Sequence, residues 1–205
     1  MSATTLLVIA KDPCPGHSKT RLCPPCCPEQ AAQLAEAALR DTLEVVARTP
    51  AERRVLVLDG DPSRWRDCGL RILSQRGAGL AERLGHAFAD VGGPALLVGM
   101  DTPQLTRELL RDGLEALERH DAVIGPAMDG GYWSVGLRRA HERAFRDIPM
   151  SVPETLSHQR RRFARLGLLT YEQAELRDVD TIDDARAVAR QAPGSRFARA
   201  LAEVV

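Results

Sequence analysis

The chain has 205 residues, 44% of them hydrophobic, which suits one continuous core and a single domain spanning residues 1–205. Its 28 basic and 28 acidic side chains cancel to a formal net charge of zero, which argues against a broad surface for nucleic acid or an anionic membrane and confines any phosphate binding to a local site. The apolar run at the N-terminus lacks a basic lead and stops at Lys11, too short for a signal peptide or a membrane span, so a cytoplasmic location is expected.

Residues 4–10 form a short apolar run rich in β-branched side chains, as expected of a central parallel strand covered on both faces. A loop follows. From 28 to about 48, Ala31, Leu34, Ala35, Ala38, Leu39, Leu43 and Val46 recur at helical spacing, with Pro28 in the first turn where proline is tolerated. Residues 54–58 read as a second strand, closed by the turn formers Asp59-Gly60-Asp61-Pro62. A short turn or helix through Trp65 leads to a strand around Ile72 and Leu73, then to a helix across Leu80, Leu84, Ala87 and Phe88 that breaks at Gly92-Gly93-Pro94. Residues 95–99 make the next strand, and Thr106 caps a helix reaching about Arg119, with Leu109, Leu110, Leu114 and Leu117 on its apolar face. Strands follow at 122–124 and, opened by glycine, at 130–137. Residues 153–166 read as a helix whose Arg160, Arg161, Arg162 and Arg165 form a basic, solvated side; 168–171 is a late strand and the remainder is helical. This β-α alternation predicts an α/β fold with a mainly parallel sheet between two helix layers, a three-layer α/β/α sandwich.

Chemistry concentrates at four places. The loop after the first strand packs Lys11, Lys19 and Arg21 among Pro13, Pro15 and Gly16, so that a point charge and a planar fork can meet phosphate oxygens while glycine permits close backbone approach. Ordinary surface charge is the plainer reading, and neither the G-x-x-x-x-G-K-[ST] nor the G-x-G-x-x-G pattern is present. Asp101 follows the strand at 95–99, and Asp180 lies where a strand gives way to a helix. Either alone is explained as a helix-start residue, but both at one sheet edge suit a divalent cation held against phosphates. Asp129-Gly130-Gly131-Tyr132-Trp133 joins backbone N–H groups to an aromatic wall for a second substrate, or simply makes an Asp-Gly turn between two strands with both aromatics in the core. Cys14, Cys23, Cys26 and Cys27 crowd one loop without a complementary ligand pair and are expected to be metal-free; Cys68 reads as a buried thiol, and the five histidines show no ligand spacing.

The ordered set Ala10-Lys11-x-Pro13-x-Pro15-Gly16-x-x-Lys19-Thr20-Arg21-Leu22, Gly99-x-Asp101-x-Pro103-x-Leu105, Gly125-Pro126-Ala127-x-Asp129-Gly130-Gly131-Tyr132 and Asp178-Val179-Asp180-Thr181-x-x-Asp184 resembles a bacterial family of glycosyltransferase-A-like proteins. These are nucleotide-diphospho-sugar transferases often found beside radical-SAM/selenodomain or arsenosugar genes. More distantly the set is similar to 2-phospholactate guanylyltransferase and to molybdenum-cofactor and sugar-phosphate nucleotidylyltransferases. The resemblance implies the nucleotide-diphospho-sugar transferase fold. It also implies a nucleotide site at Lys11, Gly16, Lys19, Arg21, Gln75 and Gly77, with catalytic roles for Lys19, Arg21 and Asp101. Asp101 and Asp180 would hold Mg²⁺ or Mn²⁺, and Asp129, Gly130, Gly131 and Tyr132 a small-molecule acceptor. The chain departs from the family at Gly77-Ala78-Gly79-Leu80-Ala81-Glu82-Arg83, where Gly79 stands in place of the aspartate of the family's Gly-x-Asp-Leu-Gly-x-Arg run, and at Met150-Ser151-Val152-Pro153-Glu154-Thr155, where Trp-Ser-Thr is usual. The expectation is a metal-dependent nucleotidylyltransferase, monomeric or homodimeric, joining an NTP to a phosphorylated metabolite. The alternatives are a glycosyltransferase using a nucleotide-diphospho-sugar and a catalytically inert binding protein.

Overall fold

In the computed structural model, which describes residues 4–204, the first apolar run becomes β1 (Thr5–Lys11), whose Leu6, Leu7 and Val8 are fully buried because apolar layers cover both faces. After a loop and α1 (Pro28–Arg48), β2 (Arg53–Asp59) lies parallel to β1, and β3 (Arg71–Ser74) lies parallel to β2 beyond a short 3-10 turn carrying the buried Trp65. α2 (Leu80–Val91) then brings the chain to β4 (Ala95–Val98), parallel to β1 on its other side. α3 (Arg107–Ala116) leads to β5 (Ala122–Pro126) and β6 (Tyr132–Leu137), a hairpin whose second strand inserts antiparallel between β5 and β4. α4 (Thr155–Arg165) and β7 (Thr170–Glu172) complete a seven-stranded sheet of order β3-β2-β1-β4-β6-β5-β7, and α5 (Ile182–Gln191) and α6 (Arg196–Val204) pack beside α1.

Alternation along the strands divides the core. Leu6, Val8, Leu56 and Leu58 meet Leu39 and Leu43 of α1 and Leu110 and Leu114 of α3; Leu7, Val55 and Val57 meet Leu84 and Phe88 of α2 and Phe163 of α4. The result is the expected three-layer, mainly parallel arrangement, with β6 the reversed strand. A third cluster, including Leu22, Leu34, Val179, Val188 and Phe197, ties the first loop and α1 to the C-terminal helices. Among the described residues no helix is long and apolar enough to cross a membrane.

Several element boundaries depart from the sequence reading, β6 among them, which begins at Tyr132. α3 ends at Ala116, and residues to Arg119 continue only in tighter turns, with Glu118 and Arg119 donating to carbonyls three residues back. α4 begins at Thr155, because Ser151 takes a positive φ of 61° and the Thr155 hydroxyl bonds the carbonyls of Pro149 and Val152. β7 starts at Thr170, as Gly167 turns the chain with φ 69° and Leu169 is left 59% exposed.

Candidate active site

From β1 the chain builds β2 and β3 to one side and later crosses to build β4 on the other, so a crevice opens beyond the carboxyl ends of β1 and β4. The loop after β1 delivers Lys19 and the loop after β4 delivers Asp101, with Lys19 Nζ 2.7 Å from Asp101 Oδ1. Asp180 lies 3.7 Å from the same ammonium and accepts a hydrogen bond from Arg21 Nη1 at 3.0 Å. The Val179 carbonyl accepts a further bond from Lys19. Lys19 holds the left-handed backbone region at φ 51°, and the fully buried Leu22 anchors the loop just beyond it.

Asp180 reaches the crevice differently from the expectation that it closes a strand. β7 ends at Glu172, and beyond it Leu176 bridges to Ala127, the Arg177 carbonyl accepts from Gln104 Nε2 at 2.7 Å, and the Val179 N–H donates to the Asp101 carbonyl at 2.9 Å. These backbone bonds stitch the two aspartate segments together. Asp180 does not cap the following helix either. Thr181 does so in a reciprocal box with Asp184, whose Oδ2 accepts from the Thr181 N–H at 3.0 Å, leaving the Asp180 carboxylate to Lys19 and Arg21.

Asp178 is a site residue that the sequence reading passes over. Its Oδ1 is buried without a hydrogen-bond partner. Burial, with Asp101 and Asp129 nearby, Lys19 opposing them and Asp180 adding to them, pushes its carboxyl up to about 7. The signal was present in Asp-Val-Asp, since alternate residues of an extended segment share a side and the intervening Val179 is fully buried. Among the described residues no three His, Cys, Asp or Glu side chains already stand in metal-holding geometry. The donor set nevertheless fits a hard divalent cation: Asp101, Asp178 and Asp180 supply only oxygens, and one of these, Asp178 Oδ1, is buried without a partner.

The other residues named from sequence flank this centre in sheet order. On the β3-β2-β1 side, Lys11 is exposed at the end of β1, and Gly16 is exposed at φ 76° with open space beside it. Gln75 donates to the carbonyls of Ala10 at 2.7 Å and Val57 at 3.1 Å and accepts from Arg83, so its amide ties strand ends together. Gly77, at φ 120°, lies against Glu82 with no room for a side chain. Arg83, which the reading gave no role, links Asp59 at 2.6 Å to Gln75 and the Gly77 carbonyl. On the β6-β5 side, Asp129 Oδ1 accepts from the Gly131 N–H at 2.8 Å, and Gly130, at φ 86°, presses against the Pro153 carbonyl. The Tyr132 hydroxyl is 3.5 Å from Gln159 Oε1 and 3.7 Å from Met150 Sδ, and burial raises its phenol above the ordinary value. Trp133 is no part of an aromatic wall: it is a core residue, 2% exposed, whose indole donates to the Ala174 carbonyl. Cys14, Cys23, Cys26, Cys27 and Cys68 are free thiols, and burial followed by the neighbouring Cys23 and Cys27 raises that of Cys26. A separate cavity of about 440 Å³ beside α1 and α6 contains Asp41, Glu44 and Arg196, already paired with one another.

This sheet order, its flanking helices and the crevice at β1 and β4 define a nucleotide-diphospho-sugar transferase-like fold. A crystal structure from Desulfovibrio desulfuricans G20, provisionally described as a nucleotide-diphospho-sugar transferase, superposes with a TM-score of 0.87 at 29% identity over 98% of this chain and 94% of that one. CMP:2-keto-3-deoxy-manno-octonic acid synthetase complexed with CTP gives 0.65 at 12% identity over 93% and 100%, and a nucleotidyl transferase from Methanothermobacter gives 0.62 at 14% over 93% and 98%; these two share the fold alone. The chain belongs to the family described as "Uncharacterized protein conserved in bacteria (DUF2064)", whose profile matches residues 33–152. No curated protein matches it significantly.

Proposed function

We propose that the protein is a divalent-cation-dependent nucleotidylyltransferase, joining an NTP to a small phosphorylated metabolite with release of pyrophosphate. The observation that carries this reading is the meeting of Lys19, Arg21, Asp101 and Asp180 in the crevice at β1 and β4. Lys19 and Arg21 hold the outer phosphates, with Lys11 at the strand end. The turn at Asp129, Gly130, Gly131 and Tyr132 positions the acceptor on the other side of Asp101, and Gln75 and Gly77 shape the nucleotide side. An acceptor phosphate oxygen attacks the α-phosphorus, a new P–O bond forms, and the bond to the departing pyrophosphate breaks. The nucleophile is already anionic and needs no strong base, so positioning and charge neutralisation do the work. Asp101 and Asp180, with Asp178 behind them, would hold Mg²⁺ or Mn²⁺, which neutralises phosphate charge when bound. That a synthetase of the same fold was obtained in complex with CTP supports a nucleotide ligand. The free thiols suit a reducing, cytoplasmic setting.

A second reading, glycosyl transfer from a nucleotide-diphospho-sugar, draws on the description of the Desulfovibrio protein. Incubation with each NTP, Mg²⁺ and a panel of sugar phosphates and phospho-acids separates the two. Acceptor-dependent pyrophosphate is expected, with turnover reduced roughly a hundredfold or more in Asp101→Asn and Asp180→Asn while the fold persists. Acceptor-dependent nucleoside diphosphate from a nucleotide sugar, with no pyrophosphate from any NTP, would replace nucleotidyl transfer by glycosyl transfer.

A further inference from the structure

We propose that Lys19 is an exchangeable counter-ion of the aspartate cluster: it yields its place between Asp101 and Asp180 to the divalent cation and moves onto nucleotide phosphate, so that cation and nucleotide bind cooperatively. This rests on the cation-dependent reading above and adds to it the order of events within the site.

The Lys19 ammonium donates to the Val179 carbonyl and forms ion pairs with Asp101 at 2.7 Å and Asp180 at 3.7 Å. The side chain is only 10% exposed. Held among these partners, the ammonium must move to contact a phosphate fully. A divalent cation arriving alone displaces Lys19 from its carboxylates and leaves the ammonium without a counter-charge, while a triphosphate arriving alone meets the carboxylates of Asp101 and Asp180. Together each supplies what the other lacks: the cation satisfies the carboxylates and the phosphates satisfy the ammonium. Such coupling is reciprocal, each ligand raising the affinity of the other by one factor.

Residue choice points the same way. Of 28 basic residues in the chain, only Lys11 and Lys19 are lysines, and both lie at this crevice. A compact ammonium on a flexible stem can trade places with a metal ion between two carboxylates. A guanidinium, planar and tied to paired bonds, is a poorer substitute for one. The neighbouring Arg21 instead pairs with Asp180 from an exposed position, its side chain 75% accessible.

The two lysines provide the test. Wild-type protein is titrated with Mn²⁺, bound metal is followed by electron paramagnetic resonance of the free ion, and lysine acylation is quantified by mass spectrometry with Lys11 as the internal reference. Mn²⁺ at saturating concentration is expected to raise Lys19 labelling relative to Lys11 at least about fivefold. Lys19→Met, checked for folding by circular dichroism, is expected to bind Mn²⁺ about tenfold more tightly than wild type, within the usual span of coupling between sites. Bound Mn²⁺ with unchanged Lys19 labelling overturns the exchange and leaves the cation site standing, provided Asp101→Asn abolishes binding. Absence of Mn²⁺ binding in both wild type and Lys19→Met overturns the cation site and the exchange with it.

Discussion

Lys19 is a non-glycine residue in the left-handed region, at φ 51° and ψ 39°, a conformation that costs an L-residue about 1–2 kcal/mol. Its ion pair with Asp101 and the anchoring of Leu22 hold it there. Lys19→Gly should therefore unfold at higher denaturant than Lys19→Ala, by about 1 kcal/mol, while both lose triphosphate affinity alike. Equal stability of the two variants would mean that the backbone carries no strain. At Asp178 the sign of the pH effect follows from a carboxyl raised to about 7 from an ordinary 3.8, by burial first and then by Asp101 and Asp129. Between those values the folded protein binds a proton that the unfolded chain has released. Its contribution is thus fully present below about pH 3.8 and is lost as pH rises through about 7. With EDTA present, Asp178→Asn should flatten the decline in stability of the wild type between pH 5 and 8. Parallel wild-type and variant curves would show that Asp178 does not titrate in this window.

At the scale of elements, the basic loop owes its placement to a clamp from elsewhere in the chain. Asp12 Oδ1 accepts from Arg64 at 2.7 Å and from the Trp65 indole at 2.9 Å, and Arg64 also reaches Glu36 of α1 at 2.8 Å. Arg64→Ala should leave the sheet intact and raise the KM for nucleotide roughly fivefold, the equivalent of about 1 kcal/mol of lost positioning, with kcat nearly unchanged. A wild-type KM would show that the loop keeps its path without the clamp. Nothing periodic marks such a tie, and so Asp12 and Arg64 are silent in the sequence. The helices and strands are not: α1 is legible from Leu34, Ala38, Leu39 and Val46, and β1 from an unbroken apolar run. β7 was displaced because Leu168 and Leu169 read as strand, although the chain turns just before them. The route of Asp180 was hidden for a related reason. It depends on backbone bonds at Leu176 and Val179, which impose no pattern on side chains. Trp133 is central because Gly125 leaves space for its ring, a pairing visible only once β5 and β6 are in register.

Across the whole molecule the two halves of the candidate site share one support. Leu22, three positions beyond Lys19, and Val179, between Asp178 and Asp180, both enter the cluster that contains Val188 of α5 and Phe197 of α6. α6 is seated on α1 by the buried Asp41, whose carboxylate accepts from the Arg196 and Phe197 N–H groups at 3.0 and 2.9 Å. A helix near the end of the chain thereby shares a packing cluster with residues beside Lys19 and between Asp178 and Asp180. Phe197, 1% exposed, is the largest side chain in that support, and Phe197→Ala should cost about 3–5 kcal/mol. Loss of packing under both Leu22 and Val179 should also loosen the placement of the Lys19 loop against the Asp180 segment, lowering triphosphate affinity at temperatures where the variant is still folded. Phe88→Ala provides the control: it opens a comparable hole beneath α2, where Phe88 stacks on Phe145 at 5.4 Å, in a cluster that does not include Leu22 or Val179. Denaturant unfolding and ligand titration of both variants are the measurements, with similar stability losses expected but weakened binding in Phe197→Ala alone. If both variants bind as the wild type does, the C-terminal helices hold the fold without setting the geometry of the site.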